Sequence, residues 1–253
     1  MTIALILAGG LGLRMNLEGS PPKQFFVLGE KPVLIHTLDR FETHNGIDAI
    51  CVVCLPTWEN YLRDMVDSYG FNKIRWIISG GESRQESVFL GLCALEKECS
   101  LEDLIVVHDG VRPFVTSMII SENIKIAIKS GNAMTGMRST DTLISSDDGI
   151  AASHSMERDS TYSIQTPQTY RLGYGLNLYK RAYKEGKTQT INCCELFIDM
   201  GEKVFIVEGR KSNIKLTTRD DILYLQFLNS IFQGQYEQAD NVQVYTNAGR
   251  FDK

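Results

Sequence analysis

What the 253-residue sequence lacks already excludes several classes of protein. No stretch approaches the ~20 consecutive apolar residues that a membrane-spanning helix needs. The apolar start over residues 1–10 runs directly into a glycine turn, unlike a signal peptide. Acidic residues outnumber basic ones, 31 against 26, and the net charge is -5. We therefore expect a cytoplasmic protein that binds neither nucleic acid nor membranes, because such binding needs a basic face.

The six cysteines do not have the pattern of a metal site. Cys51 and Cys54 have the spacing of a metal or redox pair, but they lie in the apolar run 49–55. Residues three apart in a β-strand point to opposite faces, and no second pair of Cys or His follows at zinc spacing. We expect buried, reduced thiols, as in a reducing cytosol.

Short apolar runs alternate with amphipathic stretches along the chain. The runs at 2–7, 49–55, 74–78 and 104–107 predict buried strands, and the stretches at 33–42, 58–69, 83–96 and 117–129 predict helices. Ser83 and Glu86 have the spacing of a capping box at the start of one helix. The alternation predicts an α/β fold, in which a Rossmann-like, mostly parallel sheet is flanked by helices.

The pattern changes after Gly131. Residues 138–165 are rich in Ser, Thr and Asp and contain a tight-turn signal at 147–149, which predicts a protruding β-arm. Helices at 172–184, 193–200 and 219–232 and a strand at 203–207 complete the pattern. We expect one domain over 1–233, followed over 234–253 by a polar tail to which we assign no role.

The first predicted strand ends in a glycine-rich turn. Its members are Ala8, Gly9, Gly10 and Gly12, and Arg14 follows. Glycines lack a Cβ and let backbone N–H groups approach a polyphosphate, and Arg14 and Lys23 add two cations. A Walker loop is excluded because no Gly-Lys-Ser/Thr follows, and a dinucleotide fingerprint would need glycine in place of Met15. The turn predicts a site for nucleotide phosphates.

Asp109 lies just after the predicted strand at 104–107. Ligands bind at the carboxyl ends of the strands in open α/β sheets. A carboxylate at this edge can hold Mg²⁺, which bridges phosphate oxygens and offsets the charge of the substrates. Arg112 has two interpretations, as a substrate contact or as a residue that fixes its loop through carbonyl groups.

Five motifs then resemble, in order, those of the cytidylyltransferases that activate polyol phosphates. They lie at 7–15 with 22–24, 80–88, 107–113, 165–168 and 213–217. The resemblance implies that CTP is joined to a polyol phosphate with loss of pyrophosphate, with Mg²⁺ as cofactor. It also implies a homodimer in which the arm reaches the partner's site. An acceptor phosphate that attacks the α-phosphorus in line needs positioned charge and no general base.

The resemblance also implies a role for each site residue. Arg14, Lys23 and Lys215 are expected to stabilise the triphosphate and the transition state. CTP is expected to contact Ala8, Gly9, Gly10, Gly12, Gly81, Arg84 and Ser87. The acceptor is expected to contact Thr142, Arg158 and Thr166, and Asp109 is expected to hold the metal.

The chain departs from the family pattern at Asn192, where relatives carry an aspartate. This change removes a negative charge and adds a hydrogen-bond donor, so it bears on metal binding or on the choice of polyol. Residues 31–37, 108–114 and 165–169 and Cys194 favour the branch that acts on D-ribitol 5-phosphate and makes CDP-ribitol for capsule or wall polymers. The alternative is the branch that acts on 2-C-methyl-D-erythritol 4-phosphate in isoprenoid synthesis.

Two other classes of protein stay open at this point. An NAD(P)-dependent oxidoreductase is disfavoured by Met15 and by the additional motifs. A nucleotide-binding pseudoenzyme is suggested by Asn192. The presence together of Arg14, Lys23, Asp109 and Lys215 argues for a working enzyme instead.

Overall fold

The computed structural model describes residues 1–10 and 21–232 of the chain. The strands are β1 Thr2–Ala8, β2 Val27–Leu28, β3 Lys31–Pro32, β4 Ala49–Cys54, β5 Ile74–Ser79, β6 Leu104–Asp109, β7 Asn132–Arg138, β8 Ile144–Ser145, β9 His154–Ser155, β10 Tyr162–Arg171 and β11 Ile206–Glu208. The α-helices are α1 Val33–Glu42, α2 Glu59–Tyr69, α3 Arg84–Glu96, α4 Ser117–Ser130, α5 Leu172–Lys184, α6 Cys193–Asp199 and α7 Arg219–Phe232. The predicted alternation of strand and helix is confirmed, with most boundaries within one or two residues.

The main sheet has seven strands, in the order β11-β7-β10-β6-β1-β4-β5. Parallel pairs join β1 to β4 and β6, β4 to β5, and β7 to β11. Of the seven, β10 alone runs the other way, antiparallel to both β6 and β7. The predicted α/β fold is therefore confirmed, with one reversed strand inserted between β6 and β7.

Helices cover both faces of this sheet. On one face α3, α5 and α6 pack on the strands through residues such as Leu92, Tyr179 and Phe197. On the other face α1, α2 and α4 form a second core. Cys51 lies in the first core and Cys54 in the second, and burial raises the pKa of both free thiols. The expectation of buried, reduced thiols on opposite faces is confirmed for Cys51 and Cys54.

The capping box at the start of α3 is only half formed. The Ser83 side chain accepts a hydrogen bond from the Glu86 N–H at 3.0 Å, as predicted. The Glu86 carboxylate accepts from the Glu82 N–H at 2.8 Å, whereas a capping box would use the N–H of Ser83. Both N–H groups precede the helical ladder and need a partner, and Glu86 satisfies the earlier one.

The last predicted strand is displaced along the chain. The sequence predicts 203–207, but β11 begins only at Ile206. The Asn132 side chain donates to the Lys203 carbonyl at 2.9 Å and accepts from the Phe205 N–H at 3.1 Å. These bonds to a side chain replace the ladder bonds that would have extended the strand.

The chain leaves the sheet between β7 and β10, as predicted for the arm. The hairpin of β8 and β9 lies in this segment, and its side chains are exposed. The predicted site residues Gly12 and Arg14 and the tail at 234–253 lie outside the described residues. None of the helices in the described part is both long and apolar enough to cross a bilayer.

Candidate active site

Asp109 ends β6 at the C-terminal edge of the sheet, and three cations surround its carboxylate. Arg84 Nη2 lies 3.3 Å from Oδ1, whereas Arg112 Nε and Lys215 Nζ each lie 3.1 Å from Oδ2. Arg84 begins α3, Arg112 follows β6, and Lys215 precedes α7. The fold therefore brings four residues from three separate motifs to one point.

The cluster carries more positive than negative charge, three cations against one carboxylate. Burial alone would raise the pKa of Asp109, but Lys215, Arg84 and Arg112 lower it well below its usual value. The side chains of Arg84 and Lys215 keep 21% and 30% of their surface exposed, so they can still approach an anion. The cluster is therefore suited to bind phosphate.

Residues 213–216, here called the strap, join this cluster to Lys23. Arg112 Nη1 donates to the Asn213 carbonyl at 2.7 Å. Lys23 Nζ donates to the Leu216 carbonyl at 2.7 Å, which places Lys23 beside the chain neighbour of Lys215. The bond to the Asn213 carbonyl confirms the loop-fixing interpretation of Arg112, which also binds the Asp109 carboxylate, and a substrate contact of this residue stays a prediction.

His108 and Thr166 hold the backbone of Asp109 through hydrogen bonds. The His108 Nε2 faces the Arg112 carbonyl at 3.3 Å, and this pure acceptor fixes the proton on Nε2. His108 Nδ1 then accepts from Thr166 Oγ1 at 3.1 Å, and the same oxygen accepts from the Asp109 N–H at 3.0 Å. All three residues are buried, so the imidazole holds the Asp109 backbone and has no access to a reacting atom.

We predict that His108 makes the fold sensitive to mild acid. Burial lowers its pKa from 6.5 to about 3. Below pH 6.5 the unfolded chain therefore binds a proton that the folded chain does not. The free energy of unfolding should fall as the pH drops from 6.5 towards 3, by up to about 1.4 kcal/mol per pH unit. Urea unfolding of the wild type and of His108→Gln between pH 4.5 and 7 checks this, and equal slopes would contradict it.

The glycine turn after β1 lies beside the start of α3. A Cβ placed on Gly9 would be 3.8 Å from Ser87 Oγ, so the two residues are close neighbours. Ser87 Oγ accepts from the Gly81 N–H at 3.1 Å. A Cβ on Gly10 would meet no atom of residues 1–10 or 21–232 within 4 Å, so none of the described side chains crowds this backbone. Ala8 is buried, and its carbonyl accepts from Gln24 Nε2 at 2.6 Å.

The structure brings most of the predicted site residues to one edge of the sheet. Those at this edge are Ala8, Gly9, Gly10, Lys23, Gly81, Arg84, Ser87, Asp109, Thr166 and Lys215. Thr142 and Arg158 instead lie on the arm with exposed side chains. Arg158 begins a short 3-10 turn before β10.

Asn192 has a structural role that its residue type explains. Its side chain accepts from the Glu195 N–H at 3.0 Å and caps α6. Aspartate and asparagine cap helices about equally well. Compared with the aspartate expected from the family pattern, asparagine keeps the cap and lacks the negative charge.

Four buried amides near the site were not singled out as functional residues from the sequence. Gln165 Nε2 donates to the Arg210 carbonyl at 2.9 Å, and Asn213 Nδ2 donates to the Thr166 carbonyl at 2.8 Å. Gln168 accepts from the Cys193 N–H at 3.0 Å. Gln85 binds a loop more than 100 residues away and is considered below. The motifs contain these residues, but the sequence gives no signal for their distant partners.

Asp109 is suited to bind a metal ion that is also held by the phosphates of the substrate. Within residues 1–10 and 21–232 no group of three or more His, Cys, Asp or Glu side chains could hold a metal unaided. Mg²⁺ is commonly bound through one or two carboxylates together with substrate phosphates. Asp109 Oδ1 makes only the longer contacts, 3.3 and 3.4 Å to Arg84, and can accept such a ligand. The surrounding cations disfavour Mg²⁺ until a polyphosphate is present.

Cations held around a carboxylate, beside a turn with room for a polyphosphate, suit attack of one phosphate on another. Fold and site together define a nucleotidyltransferase. Residues 2–230 match the family model described as IspD: 2-C-methyl-D-erythritol 4-phosphate cytidylyltransferase, and the chain belongs to this family of cytidylyltransferases. Membership sets aside the NAD(P)-dependent oxidoreductase.

Relatives named for both branches of the family match this chain. A ribitol-5-phosphate cytidylyltransferase of Streptococcus agalactiae serotype III is 34% identical over 245 residues, 97% of this chain and 99% of that protein. A 2-C-methyl-D-erythritol 4-phosphate cytidylyltransferase of Clostridium botulinum strain Okra is 37% identical over 220 residues, 87% of this chain and 93% of that protein. The crystal structure of 4-diphosphocytidyl-2C-methyl-D-erythritol synthase from Anaerococcus prevotii has a TM-score of 0.77 and 31% identity, covering 90% of this chain and 96% of that chain.

Proposed function

We propose that this cytidylyltransferase transfers CMP from CTP to D-ribitol 5-phosphate, giving CDP-ribitol and pyrophosphate. The observation that carries the proposal is the cluster of Arg84, Arg112 and Lys215 around Asp109, with Lys23 tied to the adjacent strap. A CDP-polyol of this kind is a precursor for capsule or wall polysaccharide, made in the cytoplasm.

The reaction is an in-line displacement at phosphorus. An ionised phosphate oxygen of the acceptor forms a bond to the α-phosphorus of CTP, and the bond to the bridging oxygen of pyrophosphate breaks. The acceptor oxygen is already deprotonated, so the enzyme needs no general base. Lys23 and Lys215, with Arg14, offset charge on the transferring group and the leaving pyrophosphate. Arg84 and Arg112 keep the Asp109 carboxylate fixed between them.

Nucleotide specificity is assigned to the turn after β1 and the start of α3. The backbone at Gly10 offers N–H groups to the triphosphate, and Gly12 is assigned to CTP by the family resemblance. Gly81 and Ser87 lie where backbone groups and a small hydroxyl can read cytosine, with Ala8 and Gly9 beneath. Mg²⁺, held by Asp109 and by phosphate oxygens, supplies charge neutralisation when it is bound.

The choice of ribitol over methylerythritol is supported by the branch-specific residues at 31–37, 108–114 and 165–169. The ribitol-5-phosphate relative also aligns with 97% of this chain, against 87% for the methylerythritol relative. Identity is similar for the two, 34% and 37%, and does not favour either. 2-C-methyl-D-erythritol 4-phosphate is therefore the second candidate acceptor.

We assign Thr142 and Arg158 to the acceptor site of a partner subunit in a homodimer. Both side chains are exposed on the arm, away from the buried Thr166. The arm also exposes large apolar side chains, with Ile144 at 64% and Ile150 at 91%. Apolar exposure of this extent is typical of a surface that another chain covers.

Pyrophosphate release tests the proposed function. Purified protein is given CTP and Mg²⁺ with D-ribitol 5-phosphate or with 2-C-methyl-D-erythritol 4-phosphate, in parallel. We expect release with the ribitol compound and little with the other. The opposite preference would move the enzyme to the second branch. CTP binding without release from either acceptor would contradict the proposal and favour a nucleotide-binding pseudoenzyme.

A further inference from the structure

Gln85 ties two segments together at the rim of the site. It is 2% exposed and follows Arg84 in α3. Its Nε2 donates to the Lys187 carbonyl at 2.7 Å. Its Oε1 accepts from both the N–H and the hydroxyl of Thr190, at 2.9 and 2.8 Å. One side chain thus makes three hydrogen bonds to residues 187–190, a segment within the connection between α5 and α6.

Other hydrogen bonds fix the two ends of the connection between α5 and α6. Gly186 adopts a φ of +75°, and the Lys187 N–H reaches the Ala182 carbonyl at 2.9 Å, which closes α5 in the manner of a Schellman motif. At the other end the Cys193 N–H donates to Gln168 Oε1 at 3.0 Å. Gln85 holds the middle of the segment, which has no helix of its own.

The topology brings this segment to the edge of the sheet where Asp109 lies. Because β10 is reversed, α5 starts at the opposite edge of the sheet and runs towards the edge where Asp109 lies. Gln168, which holds the far end of the segment, pairs with Val107 of β6, two residues before Asp109. Gln85 holds the middle of the segment and follows Arg84, which binds the Asp109 carboxylate. The segment therefore spans from the start of α3 to the strand that carries Thr166.

Two further side chains of this segment are polar. Thr188 is half-buried and Gln189 is exposed. Hydroxyl and amide groups both donate and accept hydrogen bonds, which is the chemistry that recognises the hydroxyl groups of a polyol. A wall of this composition discriminates only if it is held in place.

We propose that Gln85 is a positioning residue that holds segment 187–190 as the acceptor-side wall of the site, and so sets the affinity for the polyol phosphate. This inference rests on the proposed function. Gln85 acts through the backbone of the segment and does not touch the reacting phosphates. The nucleotide contacts at Gly81 and Ser87 do not depend on it, since Ser87 is bonded within its own turn.

The test compares Gln85→Ala with wild type in two measurements. Steady-state kinetics should show the KM for the polyol phosphate raised by about tenfold, because three buried hydrogen bonds are lost, while the dissociation constant for CTP stays within about twofold. Hydrogen exchange on the free enzyme should show lost protection at 187–193. Thr190→Val, which removes only the hydroxyl bond, should move the KM in the same direction and serves if Gln85→Ala does not fold.

Asn132→Ala is the matched control. Asn132 also bridges two backbone groups with one buried amide, but it holds residues 203–205 at the opposite edge of the sheet. Its loss should leave the KM for the polyol phosphate unchanged. An active Gln85→Ala enzyme with an unchanged acceptor KM, or with unchanged exchange at 187–193, would overturn the role of Gln85 alone. A wild-type enzyme silent with every polyol phosphate would instead overturn the proposed function, and the acceptor role with it.

Discussion

Asp109→Asn should reduce kcat/KM by at least about 100-fold. The carboxylate holds Arg84, Arg112 and Lys215 within 3.3 Å, and a neutral amide removes the attraction that gathers them. Displacement of charged groups by about 1 Å is enough for a loss of this size. The substitution also removes the oxygen assigned to Mg²⁺. Steady-state pyrophosphate release measures the loss.

The same substitution should lower the free energy of unfolding by about 1 to 3 kcal/mol. A buried pair that loses one partner typically costs about 3–5 kcal/mol, but Arg84 and Lys215 are partly exposed and solvent screens them. Asp103→Asn is the matched control, because Asp103 is a buried carboxylate paired with the N-terminal amine at the other end of β6. It should lose stability and keep its activity. Full activity in Asp109→Asn would contradict the proposed site.

Lys215→Met should lower kcat by about 100- to 1000-fold with little change in stability. The methionine keeps the length of the apolar stem and removes one positive charge from the position where charge develops. Loss of a single preorganised donor at a transition state has an effect of this size. The buried Asp109 carboxylate loses one partner but keeps Arg84 and Arg112, and the Lys215 side chain is 30% exposed, so the effect on stability should be small. The measurement is kcat at saturating CTP and acceptor, with thermal unfolding in parallel.

Lys211→Met provides the control for this change. Lys211 is exposed and lies four residues before Lys215 in the chain. Its loss changes the net charge by the same amount without touching the cluster, so kcat should stay within about twofold, as for ordinary surface substitutions. If both variants lost the same activity, the effect would come from the overall field of the protein and not from the position of Lys215.

The elements with strong apolar patterns could be predicted from the sequence. α1 and α5 occupy the predicted residues, because each has a clear apolar stripe facing one core. The motif residues Asp109 and Lys215 were also assigned to one site. In the structure, Lys215 Nζ lies 3.1 Å from Asp109 Oδ2. Motifs report these residues because their chemistry restricts the residue type.

The frame that holds the site could not be predicted. Gln85 and its partner Thr190 are 105 residues apart, and the bonds of Gln85 fall on backbone groups as well as on a hydroxyl. Every residue type offers the same backbone groups, so a partner that bonds through its backbone cannot be recognised from its residue type. β11 was misplaced for the same reason, since the side chain of Asn132 replaced strand bonds at residues 203–205. Apolar stripes and motifs can be recognised in the sequence. A hydrogen bond from a side chain to a distant backbone group cannot.

The two ends of the arm meet at neighbouring positions of the sheet. Arg138 pairs with Tyr162, and the Ser139 N–H donates to the Thr161 carbonyl at 2.9 Å. We therefore expect a change in the length or sequence of the residues between them to leave the register of β10 unaltered, with Thr166 in its place beside Asp109. If the arm contacts the acceptor as proposed, exchange of its residues between relatives would change the acceptor and leave the phosphate chemistry at the sheet edge intact.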